Sequence, residues 1–402
     1  MEISVIVPTK DFPDCVDQML DALSKQSKLP AEVIIIDSSK DHCIEELLIG
    51  YKSVLNIQYH KCDQSLFPGE ARNKGLELCK FATIAFLDSK TVPNRNWLES
   101  SALALQQNQD IVFGSTLYTA KTRWQKIFQS SIFGKNPVET LPGSILSVVN
   151  AKKIGKFTEG IRAGEDGEWR DRAKESLESW SQSKHPNLTY SSISTSLNQE
   201  LYRNFIYQLH TARSDAQRNS KMFVFGVLIT LLTLLTPSWN LLIGYKINVF
   251  FIPNVTKIYL LTMISALTIL FLFYREKMKA GVMKFLFTAL MIASFYVVYR
   301  WNGAITSSMN SILYFPHITK IYLLLLVFAG LIFRGIVSPL RKGSKINEIM
   351  PFKWIIIGIT CVIVDLAKVP GYFIGAILAM FRMFAAQIKI QINKIKCSSN
   401  NS

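Results

Sequence analysis

Four apolar stretches lie in the second half of this chain, at about 222–243, 257–274, 282–300 and 320–336, and each approaches the roughly 20 residues an α-helix needs to cross a bilayer. Nothing comparable occurs before residue 200, so the 402 residues divide into an ordinary globular half and a half built for lipid. Charge divides at the same place. Residues 1–203 hold 24 Lys and Arg against 25 Asp and Glu, whereas residues 204–402 hold 21 against 4. The net +16 therefore lies entirely beside the apolar runs, where it reads as loop and headgroup charge rather than as a nucleic-acid footprint.

The basic clusters Arg275, Lys277, Lys279, Lys284 and Arg341, Lys342, Lys345, Lys353 follow the second and fourth stretches, while Trp301–Ile318 carries no Lys or Arg. By the positive-inside rule this predicts a cytoplasmic start and four crossings. Residues 354–386 break the pattern, because Asp365, Lys368 and Arg382 interrupt two apolar runs around Pro370-Gly371. A short membrane hairpin or a re-entrant, interfacial pair is expected there, followed by a basic tail, with Asp365 and Lys368 spaced to pair on one helix face. Residues 196–221 mix Leu201, Phe205 and Leu209 with Arg203, Arg213 and Arg218, as an amphipathic interface helix would. Six cysteines without ligand spacing indicate neither zinc nor disulfides, and the N-terminus shows no basic leader, so the first half is expected in a reducing cytoplasm.

Within that first half strands and helices alternate. Ser4–Val7 and Val33–Ile36 are unbroken apolar runs, and between them Val16, Leu20 and Leu23 form a helical stripe. A strand–helix–strand order with fully apolar strands predicts a parallel sheet covered on both faces, with ligands at its carboxyl edge. Further helices are expected near Gly69–Cys79 and from Glu165 past Arg172, and further strands at Thr83–Leu87 and Ile111–Phe113. Four features point to that edge: Asp37 after a strand, Gly69-Glu70-Ala71-Arg72-Asn73 at a helix start, Asp88-Ser89-Lys90 after another strand, and the charged run from Gly164 to Arg172. Pro142-Gly143-Ser144 reads as an ordinary turn before Ile145, with a place lining the acceptor side of the site as the alternative.

Taken in order, Ser4-Val5-Ile6-Val7-Pro8-Thr9, Ile36-Asp37-Ser38-Ser39, Ala71-Arg72-Asn73-Lys74-Gly75, Phe86-Leu87-Asp88 with Trp97-Leu98, and Gly164-Glu165-Asp166 resemble the family-two glycosyltransferases over roughly residues 1–195. The resemblance implies an α/β fold of the GT-A type, a mixed and mostly parallel nucleotide-sugar-binding sheet flanked by helices, here followed by an α-helical transmembrane domain. It implies a cytoplasmic catalytic domain at 1–195, an interface helix at 196–221, four membrane helices at 222–353 and the pair with its tail at 354–402, all in the inner membrane. It further implies that Pro8 and Thr9 lie under the nucleoside, Asp37 binds base or ribose, Arg72 sits near the pyrophosphate with Asn73 in support, and Asp88 opens a D-x-D element. Asp166, beside Glu165, would be the general base of an inverting transfer, with Arg172 supporting it.

Lys90 departs from the family, since the last acid of D-x-D usually helps to hold manganese or magnesium and a protonated lysine cannot ligate a cation. Three readings stay open: Lys90 supplies the positive charge itself, Asp88 holds a metal with another acid, or the site is inert and the protein is a scaffold. A processive polysaccharide synthase is disfavoured, because no Gln-x-x-Arg-Trp element is found. The expected partners are a nucleotide-sugar donor, a lipid-linked acceptor and membrane lipids, with no nucleic acid.

Overall fold

The computed structural model describes residues 1–183, 185–212, 232–233, 235–243, 249–278, 282–304 and 317–399. Its first strand, β1 (Ile3–Thr9), is buried along all seven residues, as a central parallel strand must be. After it come α1 (Pro13–Ser24), β2 (Glu32–Asp37), α2 (Cys43–Leu48), β3 (Ile57–Lys61), α3 (Pro68–Leu78), β4 (Thr83–Phe86), β5 (Thr91–Pro93), α4 (Trp97–Gln106) and β6 (Ile111–Tyr118). The domain continues through α5 (Arg123–Phe128), a π-helical turn at Gln129–Phe133, β7 (Val138–Ser147), α6 (Val148–Ile154), α7 (Glu165–Ser176), β8 (Trp180–Gln182), β9 (Leu188–Tyr190) and α8 (Leu197–Thr211).

The nine strands form one mixed sheet in the order β3-β2-β1-β4-β7-β6-β9-β5, with β8 beside β6. β1, β2, β3 and β4 run parallel, and the turn to antiparallel pairing comes at β7. Strand alternation sorts the core into two layers. Val5, Val7, Val33 and Ile35 pack with Val16, Leu20, Leu23 and Trp97 on one face. Ile6, Ile34, Ile36 and Phe86 pack with Ala71, Ile154, Trp169 and Ala173 on the other. Truncating one of the larger of these side chains, such as Leu20 or Ile34, to alanine costs about 2–5 kcal/mol. The carboxyl ends of β1, β2 and β4 thereby open into the loops that carry Thr9–Phe12, Asp37–Asp41 and Leu87–Lys90.

By compactness the chain divides into Met1–Val224 with Arg334–Ser402, and Phe225–Phe333. The second unit contains α9 (Val255–Met278), α10 (Val282–Ala304) and α11 (Ile318–Ile332), with Leu260, Phe295 and Leu323 buried among them. The expected stretches at 257–274, 282–300 and 320–336 fall on helices, whereas residues 222–231 and 234 of the first lie outside the described residues, as do 213–221 of the interface helix and 305–316 of the outer segment. Ile318–Arg341 and Lys353–Phe381 are long and apolar enough to cross a membrane, with mean hydropathies of 2.3 and 1.8.

At the C-terminus the structure departs from the expected pair. Lys353–Ser399 is one helix, α12, running through Pro370. An internal proline removes one hydrogen bond and costs about 3 kcal/mol or more. Tight docking on α8 opposes that cost: a Cβ on Gly371 would lie 2.4 Å from the Phe205 carbonyl oxygen, and one on Gly375 2.4 Å from that of Leu209. The Gly371-x-x-x-Gly375 spacing thus lets two helix backbones touch. Asp365 and Lys368 do meet, at 3.1 Å, and Arg334 joins them 2.5 Å from the other Asp365 oxygen.

Candidate functional site

The loop after β1 is built by a relay that begins at Asp37. This carboxylate is fully buried and accepts from the Ser39 amide (2.8 Å), the Ser39 hydroxyl (2.6 Å), the Tyr59 hydroxyl (2.8 Å) and Lys61 Nζ (3.1 Å). Burial alone would raise its pKa, but the bonds from Ser39, Tyr59 and Lys61 outweigh burial and hold it below the usual carboxylate range. Ser39 Oγ in turn accepts from the Asp11 amide at 2.7 Å. Asp11 and Phe12 both occupy the left-handed region, at φ 59° and 60°, a costly conformation for side chains of their size. The result is a Phe12 ring lying 3.5 Å from the Lys90 ammonium.

The acid turn after β4 is held by Thr91, whose hydroxyl donates to the Asp88 carbonyl at 2.7 Å while its amide donates to the same oxygen at 2.9 Å. Burial lowers the Lys90 pKa, with the Asp88 carboxylate opposing and Arg162 and Arg203 adding to the lowering. The protein groups at this turn are one carboxylate, one hydroxyl and a lysine stacked on a ring, so a divalent cation there would rest on Asp88 and on phosphate oxygens of the donor. Among the described residues no three His, Cys, Asp or Glu side chains gather to hold a metal ion.

Opposite lies the start of α7. Asn73 on α3 accepts from the Phe157 amide (2.8 Å) and donates to the Phe157 carbonyl (3.0 Å) and Glu159 Oε1 (2.9 Å), fixing the segment that delivers Glu165 and Asp166. Gly164 begins α7 at φ 92°, and a Cβ there would lie 2.5 Å from Thr211 Cγ2 of α8, so both backbone and space demand glycine. Arg72 donates to Glu165 at 2.9 Å, both side chains about 5% exposed or less. Burial pushes Glu165 up to about 7, with Arg72 opposing and Asp166 reinforcing.

One cavity of about 990 Å³ collects these parts. Pro8, Thr9, Arg72, Asp88, Lys90, Glu165 and Asp166 all line it. Several polar atoms in its wall have no hydrogen-bond partner among the described residues: Thr9 Oγ1, Arg72 Nε, Glu165 Oε2 and Gln208 Nε2. Unpaired buried groups of this kind mark where a ligand is expected to supply the missing partners.

Residues 4–164 match the family model described as Glycosyl transferase family 2. This is a family 2 glycosyltransferase domain. An uncharacterized glycosyltransferase of Rickettsia bellii is 28% identical over 176 residues, 41% of this chain and 25% of its own length. Glycosyltransferase AglE of Haloferax volcanii is 25% identical over 185 residues, 42% of this chain and 60% of its own. The crystal structure of S. aureus TarS 1-349 in complex with UDP-GlcNAc is similar over 76% of this chain and 92% of that one, at 15% identity and a TM-score of 0.40. The chain thus spans between a quarter and three-fifths of these two curated relatives.

Three expected site residues of the glycosyltransferase domain are placed away from the cavity wall. Asp37 is spent on the relay, and Ser38 lines the cavity beside it. Asn73 clamps the loop before α7. Arg172 reaches Glu168 and the carbonyls of Ile154 and Lys156, both at 2.7 Å, tying α7 to the end of α6. Pro142-Gly143-Ser144 is no turn but the middle of β7, at a register shift opposite Gly114, and Pro142 lines the cavity. Phe12, Arg162, Tyr190, Gln208 and Lys368 line it as well. Phe12, three residues after Thr9, and Arg162, two residues before Gly164, carried a readable signal; the others depend on contacts far apart in sequence.

Proposed function

We propose that this glycosyltransferase moves a sugar from a nucleotide-sugar donor to a lipid-linked acceptor, a polyprenyl phosphate or a glycan on such a carrier, at the cytoplasmic face of a membrane, with inversion at the anomeric carbon. The observation that carries the reading is the meeting in one cavity of Asp88 and Lys90 from the end of β4 with Glu165 and Asp166 from the start of α7. Thr9, with its unpaired buried hydroxyl, suits the nucleoside end. Arg162 makes no hydrogen bond or ion pair among the described residues, and with Lys90 it supplies positive charge to the departing diphosphate.

In the reaction the acceptor oxygen bonds to the anomeric carbon as that carbon's bond to the diphosphate oxygen breaks, releasing nucleoside diphosphate. Asp166 takes the proton when the acceptor is a hydroxyl; an ionised phosphate oxygen needs no base. The apolar helices Ile318–Arg341 and Lys353–Phe381 support a lipid-confined acceptor, since confinement raises its effective concentration.

Calorimetry of the purified full chain with a panel of nucleoside diphosphates and nucleotide sugars, with manganese or magnesium and with excess chelator, tests this. Binding of one nucleotide that survives the chelator is expected. Binding only with metal would overturn the role given to Lys90 and Arg162, and no binding would overturn the transfer itself.

A further inference from the structure

One face of α8 lines the cavity, and it is uncharged: Asn204, Tyr207, Gln208 and Thr211 stand at positions i, i+3, i+4 and i+7. The charges beside them are turned to each other, with Arg203 3.0 Å from Glu200 and 5.9 Å from the centre of the Tyr207 ring. We propose that this face receives a neutral sugar ring, the terminal residue of a glycan acceptor, rather than a bare lipid phosphate. This deepens the function proposed above and rests on it for the transfer, though not for the binding itself.

Hydrogen-bond polarity separates the two acceptors. The Asn204 amide nitrogen donates to the Glu200 carbonyl (2.9 Å) and to Glu200 Oε1 (2.8 Å), which leaves Asn204 Oδ1 without a donor among the described residues. Glu165 Oε2 is buried and also lacks a donor among the described residues, while its other oxygen is taken by Arg72 at 2.9 Å. The start of α7 meets α8 where Gly164 abuts Thr211, one turn on from Gln208, so Glu165 stands beside this face. An ionised phosphate has no hydrogen to give these oxygens, and it would meet Asp166 with like charge. A sugar hydroxyl donates to them and accepts from Gln208, whose buried Nε2 is unpaired among the described residues. Lys368, which α12 adds to the cavity, is paired with Asp365 at 3.1 Å.

The ring itself is matched by aromatic side chains. Tyr207 is 46% exposed, and Tyr190 of β9 lines the same cavity. A tyrosine offers a flat apolar face to the C–H side of a pyranose and a hydroxyl to its polar rim. A sugar seated on α8 brings a hydroxyl to the start of α7, where Asp166 stands to take its proton.

The test is a saturation-transfer NMR titration of the full chain in nanodiscs, using methyl glycosides of common hexoses and N-acetylhexosamines, and farnesyl phosphate. It compares the parent protein with Tyr207→Leu, Tyr207→Phe and Gln208→Leu. At least one glycoside is expected to bind the parent, with Tyr207→Leu weakening it about tenfold, Gln208→Leu about fivefold, and Tyr207→Phe keeping most of the affinity. Nucleoside diphosphate affinity should be the same in all four. Glycoside binding unaltered in both leucine variants overturns the proposal, and so does a parent chain that binds no glycoside. Farnesyl phosphate that displaces the glycoside from the parent and loses affinity in Gln208→Leu overturns it by assigning the wall to a phosphate. Nucleotide affinity falling in step with glycoside affinity overturns it by assigning the wall to the donor. A parent chain that binds a glycoside but no nucleotide sinks the transfer reaction and leaves this subsite standing.

Discussion

The two walls of the cavity are built by opposite means. On the sheet side, side chains are aimed by hydrogen bonds to fixed neighbours: Asp88 by Thr91, Phe12 by the Asp37–Ser39–Asp11 relay, Glu165 by Arg72 and the α3 clamp. On the helical side, Gln208 and Lys368 share the cavity because two helices far apart in sequence touch backbone to backbone at Gly371 and Gly375. The sheet wall is rigid through hydrogen bonds, and the helical wall through the absence of side chains. Perturbing the first should change chemistry, and perturbing the second should change acceptor capture.

The largest expected effect breaks the chemistry alone. Asp166→Asn should lower kcat for transfer to a sugar hydroxyl by about 10²–10⁴-fold, yet only weaken transfer to a polyprenyl phosphate. Steady-state rates with both acceptors check this, and equal losses on both would contradict the assignment of Asp166 as base. Next, Lys90→Ala should cost about 10²-fold in kcat, with the parent rate indifferent to chelator. A parent rate that collapses in chelator breaks that expectation.

On the helical wall, Gly371→Leu should push α12 off the Phe205 carbonyl, cost about 1–3 kcal/mol of stability, and raise the acceptor KM with donor KM unchanged. A change confined to donor KM would erase the contrast between the walls. The smallest effect is on pH. Glu165 titrates near 7 when folded and near 4.5 when unfolded, so the unfolded state gives up its proton first. Its contribution to stability is complete below pH about 4.5 and declines as pH rises through about 7. Thermal unfolding should therefore show a Tm falling between pH 5 and 8, and Glu165→Gln should flatten that slope.

The same division governs how much the sequence discloses. β1, β2 and β4 are legible as unbroken apolar runs, and α1 as a stripe, because burial on both faces leaves a mark within a few residues. β5, β8 and β9 are three residues each, too short for any period, and β7 is disguised by Pro142-Gly143, whose turn chemistry is overridden by strand pairing. In the site, Asp88, Arg72, Glu165 and Asp166 stand at strand ends and helix starts and reach the cavity. Asp37 stands at a strand end too, but Tyr59 and Lys61 of β3 claim its carboxylate, and nothing near Asp37 in sequence announces them. The continuity of α12 through Pro370 is likewise invisible without α8.

Ser39 carries a consequence out of proportion to its size. Its hydroxyl links a buried aspartate to two residues in left-handed backbone, and through them to the surface on which a lysine rests. A mutational scan confined to groups facing the ligand would pass over this serine. A loop freed from it would relax toward ordinary dihedrals, and the lysine would lose its platform while every motif residue stayed in place.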